Sequence, residues 1–121
     1  MWIVLGLVLA LFILLRTRSA SSDEQIRVLY RQTARYAVAS TQDESPVVRM
    51  LHANYAMGYL MALKDISVPE QFYRVTGVDL NTFERKVAHI QDTATLDLVT
   101  NSPNLVPEQD PVLLKAMYFN N

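Results

Sequence analysis

The sequence has no cysteine. That absence excludes disulfides, thiolate metal sites, iron–sulfur clusters and cysteine nucleophiles together, and it leaves the redox compartment open. Glycine is scarce, at 3 residues, and proline numbers 5 among 121, so collagen-like repeats and long low-complexity disorder are excluded. Positive charge is not in excess either: 11 basic residues against 12 acidic ones give −1. From Ser19 onward 9 basic residues face the same 12 acidic ones, for −3, because Arg16 and Arg18 lie before it. A nucleic-acid partner is therefore not expected, since that binding draws on cationic charge to displace counterions from phosphates. The familiar catalytic signatures are missing as well: there is no phosphate loop, G-x-G-x-x-G, G-x-S-x-G, H-E-x-x-H or calcium loop. The expectation is a protein with no catalytic residues, no cofactor and no metal site.

What the chain does have is a long hydrophobic run. Residues 1–15 read MWIVLGLVLALFILL, apolar at all but one position and uncharged throughout, followed by Arg16-Thr17-Arg18. As a helix these residues rise about 22 Å, short of a hydrocarbon core of roughly 30 Å. Two readings fit that length, a short membrane anchor and the core of a signal peptide. A signal peptide carries its positive charge before the apolar core and small neutral residues after it. Here the arginines come after the core, although Ser19-Ala20-Ser21 offers a cleavage site for a secreted domain. The anchor is the reading adopted, with Trp2, Leu5, Leu9, Phe12 and Leu15 in the bilayer and Arg16 and Arg18 snorkelling to the headgroups. Positive charge stays cytoplasmic, which sends the N-terminus across and leaves residues 19–121 in the cytoplasm.

Beyond residue 18 the periodicity is helical throughout. Ser21-Ser22-Asp23-Glu24 fits a capping box with Ser21 as N-cap, opening a helix to about Ser40 that carries Ile26, Leu29, Tyr30, Thr33 and Ala37 on one face. After a turn at 41–44, Ser45-Pro46 starts a second helix reaching about Ile66. Its apolar face is expected to be Val48, Leu51, Tyr55, Ala62 and Ile66, widened by Tyr59 and Leu63. Arg49, His52 and Asn54 in its first turns make it expensive as a second membrane span. Ser67-Val68-Pro69-Glu70 reads as a further capping signature, opening a short helix through Phe72 and Tyr73 that stops at Thr76-Gly77. Asp79 caps a last long helix whose Leu80, Phe83, Val87, Ile90 and Ala94 form a narrow seam, with Glu84, Arg85, Lys86 and Asp92 on solvated faces. Asn101-Ser102-Pro103-Asn104 ends it, and Asp110-Pro111 starts a final turn or two. The expected fold is all-α: a single-pass membrane helix (1–18), a small bundle of about three main helices (19–100), and a loop with an apolar C-terminal segment (101–121).

Several features invite a functional reading beside a plain one. His52 and His89 fall on different predicted helices, and His52 reads either as part of a polar network or as a hydrogen-bonded histidine at a helix interface. Arg27, Arg31 and Arg35 line a stripe with Asp23, which suits an acidic partner or anionic headgroups near the anchor, or else a solvated face balanced by nearby acids. Asn54, Gly58 and Ala62 recur every four residues, as in an assembly interface or a core seam of closely packed helices. Leu113, Leu114, Met117, Tyr118 and Phe119 make an apolar segment that either folds back on the bundle or inserts into a protein partner.

The stretches LYRQTARYA at 29–37 and LHANYAMGYLMALKD at 51–65 resemble small membrane-anchored minor structural proteins of large icosahedral double-stranded DNA viruses. The resemblance covers about a third of the chain. It implies a minor capsid protein that tethers the internal membrane of the virion to the overlying shell, with capsid proteins as partners. The alternative from the residues alone is a membrane-anchored helical adaptor or receptor that binds a peptide or helix on the cytoplasmic side.

Overall fold

Between Gly6 and Pro46 the chain contains neither glycine nor proline, so no residue there interrupts a helix once it has begun. A computed structural model describes residues 1–105 and 111–112 (for 18–21 and 105, the backbone only). In it Trp2–Gln42 is one uninterrupted helix, α1, of 41 residues, about 60 Å long. The helix start expected at Ser21 is corrected: residues 21–24 lie inside α1. Their amides are already bonded to the preceding turn, so the capping box has no orphan donors to satisfy. The polar side chains serve tertiary contacts instead, Ser22 accepting from Gln71 Nε2 at 3.1 Å and Asp23 from Arg74.

The other helices are α2 (Pro46–Ile66), α3 (Pro69–Thr76) and α4 (Leu80–Asn101), followed by a 3₁₀ turn at Pro103–Leu105. Among the described residues there is no strand, and the chain is all-α. Ser45 caps α2, its hydroxyl accepting from the Val48 amide at 3.5 Å, with Pro46 in the first turn. The cap expected from Ser67 is not made: Val68 occupies the N-cap of α3, and Ser67 Oγ donates back to the Leu63 carbonyl at 2.6 Å. Gly77 ends α3 in the left-handed region at φ 72°, its N–H bonded to the Tyr73 carbonyl, a conformation that favours glycine. Asp79 caps α4 through the Thr82 amide at 2.9 Å.

α1 and α2 form an antiparallel hairpin, α4 returns antiparallel along α2, and α3 lies across the end where α2 gives way to α4. Ile26, Thr33 and Ala37 of α1 are buried as expected, with Leu29 and Tyr30 half-buried. α4 likewise buries Leu80, Val87 and Ala94. Phe72, fully buried, meets Tyr30 edge-on at 5.5 Å and stacks on Phe83 at 5.9 Å, which pins α3 to α1 and α4.

The face expected of α2 is corrected. Leu63 is buried as expected and Tyr59 half-buried, but Ala53, Ala56 and Leu60 are the other buried residues, whereas Leu51, Tyr55 and Ile66 are exposed and Val48 and Ala62 are half-buried. The reason is geometric: α2 packs against both α1 and α4, and alanines at the contact let two backbones come close. The arc of α2 buried between them runs through Ala53, Ala56, Leu60 and Leu63, which leaves Leu51, Tyr55 and Ile66 outside it. Of the Asn54–Gly58–Ala62 stripe, Gly58 is exposed with nothing within 4 Å of where a Cβ would sit, Asn54 is exposed and accepts from Gln91 Nε2 of α4 at 3.0 Å, and Ala62 is half-buried. The stripe is not a core seam of this chain. Glu84, expected on a solvated face, is half-buried and bonds Lys64 of α2 at 2.7 Å.

Candidate functional site

The first feature that packing leaves unexplained is the beginning of α1. Every large apolar side chain from Met1 to Leu15 is at least half exposed, with Trp2 at 86% and Leu5, Leu9, Phe12 and Leu15 all above half. At roughly 1.5–3 kcal/mol for each large side chain taken out of water, this surface represents a driving force of tens of kcal/mol toward an apolar phase. Arg16 closes the stretch, its guanidinium 5.8 Å from the Phe12 ring centroid, and Thr17 returns its hydroxyl proton to the Ile13 carbonyl at 2.8 Å. Both contacts fold a polar group back along the helix rather than out from it. α1 is thus one helix of membrane-spanning length and composition, continuous with a packed bundle. Arg18 follows on the same helix, its side chain outside the described residues.

The arginine stripe is present and exposed. Glu24 serves two of its members, Arg27 at 3.5 Å and Arg31 at 3.7 Å, while Arg35 makes no ion pair among the described residues. Asp23 does not join the stripe; it turns to Arg74. Exposed pairs of this kind contribute between nothing and about 1 kcal/mol. The stripe therefore keeps most of its cationic character.

At the opposite end of the bundle lies a polar junction that the sequence did not reveal. Ser40 Oγ donates to the Arg49 carbonyl at 2.8 Å, Arg49 Nε donates to the Ser40 carbonyl at 3.3 Å, and Arg49 Nη1 bonds the Asp97 carboxylate. One guanidinium thus ties α1, α2 and α4 together. Ser40 is fully inside and the ion pair is about one-third exposed, so the charges remain solvated at one edge. His52 sits one turn along α2, its buried Nδ1 at 3.4 Å from Asp43 Oδ2 without an aligned hydrogen bond, and its ring 6.0 Å from Tyr36. His89 is exposed on α4. No group of three or more metal-ligating side chains occurs among the described residues.

The third feature is the outer face of α2. Val47, Leu51, Tyr55 and Met61 are each about half exposed at helical spacing, with the open Gly58 between them. Tyr55 at the edge of this stripe also packs on Tyr36 of α1, ring centroids 5.3 Å apart. Leu113, Leu114, Met117, Tyr118 and Phe119, the other expected contact residues, lie outside the described residues. Comparison with models of protein families, with curated proteins and with solved structures finds no match to this chain.

Proposed function

We propose that this protein is a non-enzymatic single-pass membrane tether, holding a bilayer to an overlying protein layer through its helical domain. The observation that supports it best is the continuity of α1, whose exposed apolar half runs without a break into the packed half. A rigid helix transmits position from a membrane to a partner, as a flexible linker does not. The arginines after the apolar stretch favour an orientation with residues 19–121 on the cytoplasmic side. The outer face of α2, the arginine stripe and the apolar C-terminal segment are the surfaces assigned to protein partners. The resemblance of 29–37 and 51–65 to viral membrane-anchored proteins makes that layer a capsid and the bilayer the internal membrane of a virion.

Chemical crosslinking in the native membrane, read by mass spectrometry, tests the tether. Reproducible crosslinks in fixed ratio from Lys64, Lys86 or Lys115 to one or two abundant proteins are expected. Sparse crosslinks to many proteins would sink the tether and favour an adaptor that binds mobile ligands.

A further inference from the structure

With α1 crossing a bilayer, the end of the bundle nearest the apolar stretch is held close to the membrane. Residues 2–15 rise about 20 Å, so burying them in a hydrocarbon layer of roughly 30 Å pulls the following turns toward the bilayer. From Arg16 to Asp23 the helix climbs only about 10 Å. The headgroup layer is itself roughly 5–8 Å deep on each side. Whatever packs against α1 at Ser22 and Asp23 is therefore held at the headgroups.

What packs there is α3. Gln71 bonds Ser22, and Arg74 bonds Asp23 through both Nη atoms at 3.3 and 3.0 Å. The same end carries the α2–α3 corner, where Ile66 borders a surface groove with Glu24, Val28 and Leu29 of α1. Three large side chains at this corner are left uncovered: Ile66 at 40%, Val68 at 57% and Tyr73 at 62% exposure. Tyrosine is a residue of the membrane interface, with an apolar ring and a polar tip. The bases nearby are already engaged, Lys64 by Glu84 and Arg74 by Asp23, while Asp65 and Glu70 are exposed and make no ion pair among the described residues.

We propose that the corner formed by Ile66, Val68 and Tyr73 is a second membrane contact, seated at the headgroup–acyl boundary of the bilayer that α1 crosses. It rests on the reading of α1 as a span. The occupant is lipid because a continuous helix fixes this corner beside the membrane, and the contact is apolar because the two bases of the corner itself, Lys64 and Arg74, are already paired. Two points of attachment, the span and the corner, hold the bundle at one tilt, which presents the outer face of α2 in a fixed direction.

The absence of cysteine makes the test direct. Single variants Leu9→Cys, Leu51→Cys, Val68→Cys and Tyr73→Cys of the full chain are spin-labelled in phosphatidylcholine vesicles, and collision with oxygen is compared with collision with a water-soluble nickel chelate. All four sites are exposed, so the labels displace no core contact. Labels at 68 and 73 are expected to meet oxygen freely while meeting the chelate several-fold less often than the label at 51. Adding phosphatidylglycerol is expected to leave that ratio unchanged. If 68 and 73 meet the chelate as often as 51 while 9 is shielded, the span stands and the corner contact is overturned. If 9 also meets the chelate, both fail. Shielding that appears only with phosphatidylglycerol overturns the apolar contact in favour of an electrostatic one. Shielding from oxygen and chelate alike means that protein covers the corner, which overturns it too.

Discussion

Arg74 of α3 grips Asp23 of α1 with both arms of its guanidinium, at 3.0 and 3.3 Å, eight residues beyond the end of the apolar stretch. The carboxylate is mostly covered, at 15% exposure, whereas the arginine is open to solvent. This pair joins the helix of membrane-spanning length to the short helix that closes the bundle. Arg74→Ala removes the forked partner of a covered carboxylate and is expected to cost about 1 kcal/mol. Arg74→Lys recovers only part, because an ammonium cannot make the fork. Hydrogen exchange should show the loss confined to α3 and the adjoining turn; equal loss along α2 would contradict this local role.

The Ser40–Arg49–Asp97 junction is expected to matter more than the surface pairs. Arg49→Ala leaves the Ser40 carbonyl and the Asp97 carboxylate without their donor, at a cost of about 1–3 kcal/mol. Urea unfolding of the full chain in detergent measures it. Because Arg49 and Asp97 share one interaction, the double replacement Arg49→Ala with Asp97→Ala should cost less than the sum of the singles. Strict additivity would mean that the two side chains act independently.

α2 offers opposite responses on its two faces. Gly58 is exposed in a helix interior with open space around it, so Gly58→Ala is expected to stabilise by up to about 1 kcal/mol. Ala56 is fully buried, so Ala56→Leu is expected to destabilise by about 1–3 kcal/mol. Thermal melting distinguishes the two. If the outer face docks a protein layer, Gly58→Leu keeps the melting temperature near that of Gly58→Ala while reducing co-purification with the partner.

These contrasts show why parts of the molecule were legible in the sequence and others were not. The stripe of α1 from Ile26 to Ala37 and the seam of α4 from Leu80 to Ala94 were readable because each helix buries one face, and the apolar residues mark it. α2 misleads because it packs against two helices and carries apolar residues around most of its circumference, so composition does not single out the arc of Ala53, Ala56, Leu60 and Leu63 over Leu51 and Tyr55. Ser21-Ser22-Asp23-Glu24 has the composition of a helix start, but capping residues permit a terminus without imposing one, and no glycine or proline is there to break α1. The junction is invisible in sequence for another reason: Arg49 lies 9 residues from Ser40 and 48 from Asp97, at no periodic spacing.

Asp79 supplies a pH dependence. The Thr82 amide, then the Thr82 hydroxyl, and the charge of Arg85 hold its carboxyl below the ordinary value. A carboxylate whose pKa is lowered by folding stabilises the fold above the unfolded value, and that stability is lost as pH falls through the folded one. The window therefore lies below about pH 4. Asp79→Asn, which keeps a capping oxygen without the charge, should melt with a smaller loss between neutral pH and that window than the unmodified chain. An identical acid loss in both would show that other groups govern it.

The most direct test of the account is intact-mass spectrometry of the protein recovered from alkali-washed membranes. The expected result is a chain that stays with the bilayer after the wash and has the mass of a species retaining residues 1–18. Release into the wash, or a mass corresponding to cleavage near Ser19–Ser21, would contradict the membrane anchor and with it the tether.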